Sequence, residues 1–174
     1  ERLGLPLDFY EAKVGPAAAE RLSEHRHLVD RHRHRLGPEQ MGIGIHWRDG
    51  SMIRMPLTDE QFLARLAGRL AEQLEGMQAD PAVERVVAFT HHLPFRELLP
   101  SGGPARRARP PTQRAFVAAY LGSDVIGRVL RACPKVTHAF SGHSHWPARA
   151  QIGPIEAVNV GCTYTEKRFE VLEL

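Results

Sequence analysis

The chain has 174 residues, 43% of them hydrophobic and 25% charged, which is enough apolar content for one compact domain with its own core. Lys and Arg number 23 against 20 Asp and Glu, so the net charge of +3 supplies no large positive field and gives nucleic acid no support as a partner. No apolar run reaches the roughly eighteen residues of a membrane span, and the two cysteines, Cys133 and Cys162, make neither a metal-type pair nor a case for an oxidising compartment, so a reducing cytoplasm is the expected location.

The sequence opens at Glu1, with no initiator methionine and no signal-like apolar segment, and reads as a processed product, an expression fragment or part of a longer protein. From Pro16 to Leu36, apolar residues Ala17, Ala18, Ala19, Leu22, Leu28 and Val29 recur at helical intervals, with proline near the start and Gly37-Pro38 after the end. His25 recurs with that stripe, the outer face of this predicted helix is basic, and the segment also carries His27, His32 and His34. No two of these four stand three or four apart, so they make a poor chelate; a solvated basic face or an anion-binding surface accounts for them. Two antiparallel strands are expected at residues 43–48 and 51–56, joined by Asp49-Gly50, a pair suited to a tight hairpin turn. Thr58 then begins a Thr-Asp-Glu-Gln capping box. The helix it starts has an apolar stripe of Phe62, Leu63, Leu66, Leu70 and Leu74 and is expected to stop at Gly76.

Arg85 to Thr90 is a short unbroken apolar run, as in a strand covered on both faces, and its place after a helix suggests an α/β crossover. Residues 100–112 are crowded with Gly, Pro and Arg and read as a mobile loop, in which Arg106, Arg107 and Arg109 either attract an anion or form a solvated face. Helical segments are expected at Arg114–Leu121 and Ser123–Ala132, broken near Gly122, with Val125, Ile126, Val129 and Leu130 buried. Strands are expected at Val136–Phe140, Ala148–Ile152, Ile155–Val160 and Phe169–Leu174, with Gly153-Pro154 as a turn. His46 and His138 fall inside strands and read as structural, and small-residue packing explains Cys162 after Gly161.

Two of the strands end in paired histidines: Thr90-His91-His92-Leu93-Pro94 and Gly142-His143-Ser144-His145. In an extended segment side chains at i and i+2 share a side, so His143 and His145 are able to aim at one site or at two adjacent ions, while Gly142 frees the backbone to turn and Ser144 faces away. The plainer alternative is that these are ordinary surface histidines on two loops.

With Val158-Asn159-Val160-Gly161-Cys162 after them, these elements resemble the C-terminal half of a calcineurin-like metallophosphoesterase, over about Val86 to Lys167. The resemblance implies an α/β chain forming part of a β-sandwich flanked by helices, with residues 1–80 as a variable helical and hairpin insert and 81–174 as the ligand-bearing part of a single domain. It further implies that His91 and His143 ligate the second metal and His145 the first, with His92 a neighbour in contact with substrate or solvent. The cofactors would be two divalent ions, and mixed nitrogen and oxygen ligation suits manganese, iron or zinc.

The chain departs from the family where the acidic motifs should be: the Gly-Asp and Gly-Asn-His elements have no counterpart, and the single Asp-x-His string, Asp30-Arg31-His32, falls within the predicted basic helix. Two adjacent divalent ions repel, and a bridging carboxylate, which three neutral imidazoles do not replace, normally holds them together. The expectation is therefore a C-terminal portion of a phosphoric ester hydrolase, inactive alone, whose partners are a phosphate-ester substrate and a missing N-terminal segment. In the intact enzyme the ion pair would generate hydroxide from bound water, while the catalytic acid would be a histidine of the absent segment. A non-catalytic interaction or scaffold domain descended from the same fold is the alternative.

Overall fold

The computed structural model describes residues 56–57, 59–100 and 111–173. The predicted helix at Pro16–Leu36, the hairpin at Asp49-Gly50, Thr58, His25, His27, His32, His34 and His46, and Arg106, Arg107 and Arg109 lie outside the described residues. The chain divides into two compact units. One, Phe62–Ser101 with Leu121–Leu174, holds every described strand; the other is Glu1–Gln61 with Gly102–Tyr120.

The architecture is α/β: four strands, β1 (Val86–Phe89), β2 (Val136–Ser141), β3 (Ala148–Ile152) and β4 (Ile155–Asn159), form one mixed sheet in the order β1-β2-β4-β3. β1 runs parallel to β2 and β2 parallel to β4, while β3 and β4 form an antiparallel hairpin across Gly153-Pro154, where Gly153 takes φ 60°. The register alternates the faces. Ala139, Ser141, Ala157 and Asn159 are buried on one face, whereas Phe89, His138 and Phe140 share the other.

Helix α1 (Asp59–Ala79) runs past Gly76, where the sequence suggested a stop, because the glycine meets no neighbour and the following chain is well held. Lys135 Nζ donates to the carbonyls of Met77 (3.1 Å) and Asp80 (2.7 Å), satisfying acceptors that a helix end leaves open. Pro81 then ends it. The stripe that faces inward is Leu63, Ala67, Leu70 and Leu74, whereas Phe62 and Leu66 stay exposed, a rotation from the predicted face. The thiol of buried Cys133 reaches Gln78 Oε1 at 3.4 Å, further joining α1 to the segment before β2.

Between β1 and β2 the described chain forms a single 3-10 turn (Arg96–Leu98), helix α2 (Pro111–Leu121) and helix α3 (Asp124–Arg131). Residues 111–112, expected in the loop, open α2. The predicted break at Gly122 occurs, and its cause is a close backbone approach: a Cβ there would lie 1.9 Å from the carbonyl oxygen of Leu93. Leu93 N donates to the Leu121 carbonyl (2.9 Å) and Ser123 N to the Leu93 carbonyl (3.1 Å). Ser123 then caps α3, its hydroxyl accepting from Val125 N at 3.2 Å, with Asp124 in the first turn and Arg128 and Arg131 in the last, as the helix dipole favours.

Two other expectations change. β1 is not covered on both faces, since Phe89 is 77% exposed. Residues 169–173 form no strand; Phe169 and Val171 stand exposed, and an alternating pattern without a neighbouring ladder does not become one. No helix among the described residues is long and apolar enough to cross a membrane.

Candidate functional site

Parallel pairing of neighbouring strands brings their C-terminal ends to the same edge, the place where open α/β sheets present binding groups. The β1–β2 ladder continues beyond the strands, with Thr90 N donating to the Phe140 carbonyl (2.9 Å) and Gly142 N to the His91 carbonyl (3.2 Å). Thr90 Oγ1 donates to the His92 carbonyl at 2.8 Å, turning the chain sharply after β1. These bonds place His91 opposite the turn that follows β2. His91 Nε2 and His143 Nδ1 approach to 3.0 Å although 52 positions separate them in the chain. One ring nitrogen donates and the other accepts.

His92 joins the cluster through ring contacts. Its centroid lies 4.4 Å from that of His143 and 5.1 Å from that of His91, and the His91–His143 centroids are 4.7 Å apart. His145 is placed elsewhere: it is exposed, and its ring meets Tyr164 edge-on at 5.1 Å and 87°. The extended geometry expected for Gly142–His145 is replaced by consecutive bends, with His143 at φ 65° and His145 at φ 59°. Ser144 N donates to the Gly142 carbonyl at 2.7 Å, closing a three-residue turn across His143. A left-handed backbone at a residue other than glycine costs about 1–2 kcal/mol, so the surrounding chain must hold both histidines in it. The i, i+2 alternation of a strand then no longer applies, and the two imidazoles diverge.

The holding groups come from the end of β4. Asn159, 1% exposed, donates from its amide nitrogen to Ser144 Oγ and to the Trp146 carbonyl. Its Oδ1 is buried without a hydrogen-bond partner. Gly161, at φ 75°, lets the backbone pass so close that a Cβ would lie 2.2 Å from Pro147 N. Sequence reasoning used Asn159 only as part of a motif. A buried asparagine ending a strand two residues before a glycine was the available signal for this second role.

The His91–His143 nitrogen separation of 3.0 Å is that of a hydrogen bond, and two imidazoles bound tetrahedrally to one ion at about 2.1 Å each would stand only slightly wider, about 3.4 Å apart. Among the described residues, however, no group of three or more His, Cys, Asp or Glu side chains is arranged to hold an ion. A dinuclear centre with a bridging carboxylate therefore does not fit the described residues. What they present is a hydrogen-bonded pair of imidazoles at the shared end of two parallel strands.

The remaining singled-out residues have structural partners. His138 lies in β2, half-buried, with Nδ1 2.9 Å from Thr137 Oγ1 and Nε2 3.8 Å from Glu156 Oε2. Cys162 does more than fill space: Sγ accepts from Arg168 N at 3.0 Å and donates to the Arg168 carbonyl at 2.8 Å, tying the tail to the strand end. No protein-family model matches the chain, and no curated protein matches it.

Proposed function

We propose that this chain carries the histidine ligands of a metal-dependent phosphoric ester hydrolase similar to the calcineurin-like metallophosphoesterases, and that its four-stranded sheet forms part of such an enzyme's β-sandwich flanked by helices. The observation that carries the reading is the 3.0 Å approach of His91 and His143 at the shared end of two adjacent parallel strands. The β1–β2 pairing brings the two histidines together from positions distant in sequence, and the left-handed backbone at His143 is the kind of local strain that functional sites retain.

In this reading two divalent ions, manganese, iron or zinc, are the cofactors, and the acidic ligands come from a segment outside Glu1–Leu174. His145 serves the first ion, which requires its ring to leave the edge contact with Tyr164. The substrate is a phosphate ester, and this chain alone is inactive, no carboxylate among the described residues completing a metal site at the pair.

The test uses the product of the complete reading frame, supplied with Mn2+ and assayed on p-nitrophenyl phosphate and bis(p-nitrophenyl) phosphate. Losing an outer partner of a metal ligand typically lowers affinity or activity by about 10–100-fold. Loss of a ligand itself, in His91→Ala or His143→Ala, should lower hydrolysis by at least that much. Full activity in His143→Ala would reject the reading.

A further inference from the structure

The turn that carries His143 starts after Ser141 and ends before Ala148, and both of these flanking residues are register partners of Asn159, one in β2 and the other in β3. Asn159 thus sits at the base of the loop, on the strand between its two ends. From there its single amide nitrogen reaches two acceptors inside the loop, Ser144 Oγ and the Trp146 carbonyl. Ser144 follows His143 and Trp146 follows His145, so each left-handed histidine is succeeded by a residue that the same NH2 group holds.

We propose that Asn159 is the positioning residue of the histidine pair, fixing the 142–147 loop so that His143 Nδ1 meets His91 Nε2. Side-chain chemistry selects asparagine for this task. Two hydrogens on one nitrogen are needed, which excludes aspartate and leucine, while serine and threonine offer only one hydrogen. A site 1% exposed leaves no room for the longer glutamine. The cost of the choice is visible in the buried Oδ1, which lacks a partner. An unpartnered buried amide oxygen destabilises a fold, and a residue serving only to fill the space would be apolar. Gly161 supports the same loop from its far side by allowing contact with Trp146 and Pro147.

The inference rests on the His91–His143 pair being the functional pair of the proposed hydrolase, and its test reads the pair directly. In the protein as it stands, the Hε1 protons of His91 and His143 should give a nuclear Overhauser cross-peak. In Asn159→Asp, equal in size but without N–H groups, that cross-peak should be lost while the amide resonances of β1 and β2 persist. Ser144→Ala, which removes one of the two acceptors at a half-buried position, should lower its intensity by roughly half. An undiminished cross-peak in folded Asn159→Asp overturns the proposal, and so does one in Ser144→Ala should Asn159→Asp fail to fold. Loss of the cross-peak in a protein whose wild type hydrolyses no phosphate ester would uphold the positioning role and reject the proposed activity alone. Lost activity in Asn159→Asp with the cross-peak intact would do the reverse.

Discussion

His145 and Gly161 show opposite sides of one backbone constraint. His145 holds φ 59° with an imidazole whose ring contact is with exposed Tyr164. Glycine there would relieve about 1–2 kcal/mol of left-handed strain and lose about 0.5–1 kcal/mol to the greater freedom of the unfolded chain. His145→Gly should therefore stabilise by about 0.5–1 kcal/mol, read as a higher urea midpoint at unchanged slope. Gly161 has no such latitude: beyond its φ of 75°, an added Cβ would lie 2.2 Å from Pro147 N and 2.5 Å from the Trp146 carbonyl carbon. Gly161→Ala should cost about 2 kcal/mol or more, whereas Gly153→Ala, also at positive φ but in open space, should cost only about 1 kcal/mol. Sequence pattern led to the meeting of His91 and His143 because both follow apolar runs that became neighbouring parallel strands. It did not reveal the divergence of His145, since Gly-His-x-His is compatible with extended and with left-handed backbone alike. Bonds within the loop and from Asn159 at the end of β4 decide between them.

Among the helices, glycine again separates propensity from packing. Gly76 lies in the interior of α1 with nothing within reach of an added Cβ, so Gly76→Ala should raise stability by about 0.8–1 kcal/mol, the intrinsic helix preference of alanine. Gly127 lies in α3, where the same preference applies, yet a Cβ would stand 2.2 Å from the Pro94 carbonyl oxygen and 2.8 Å from the Phe95 ring. Overpacking of this kind costs typically 1–3 kcal/mol and outweighs the propensity gain, so Gly127→Ala should destabilise; paired denaturation curves of the two variants give the contrast in sign. Local signals located these elements well: the start of a helix at Ser123, the break at Gly122 and the turn at Gly153-Pro154 are each written in one or two residues. The C-terminal segment was misread for the opposite reason. Phe169 and Val171 alternate as a strand would, but pairing depends on a neighbour that no local pattern specifies.

Across the sheet, the face bearing Phe89, Phe140 and His138 is only partly covered, with the Phe89 and Phe140 rings stacked at 5.5 Å and Phe89 mostly in solvent. Because so little of its ring is removed from water, Phe89→Ser should cost only about the 0.5–1.5 kcal/mol of an aromatic pair, and it should reduce binding of a hydrophobic dye to the native protein. Stability retained with unchanged dye fluorescence would count against this face as the principal exposed apolar surface. The helix-strand succession suggested an α/β crossover, but neither the parallel joining of β1, β2 and β4 nor the order β1-β2-β4-β3 was legible, because strand neighbours are chosen by the whole chain. The parallel β1–β2 pairing also governs timing. His91 and His143 are separated along the backbone by 52 positions, whose described part includes a 3-10 turn, two helices and a strand, and contacts so remote in sequence await closure of long loops. A nascent or partly unfolded chain, although it carries ten histidines, lacks this particular couple. The arrival of its cross-peak during refolding would accordingly mark completion of the sheet, making the imidazole pair an internal clock for the last stage of assembly.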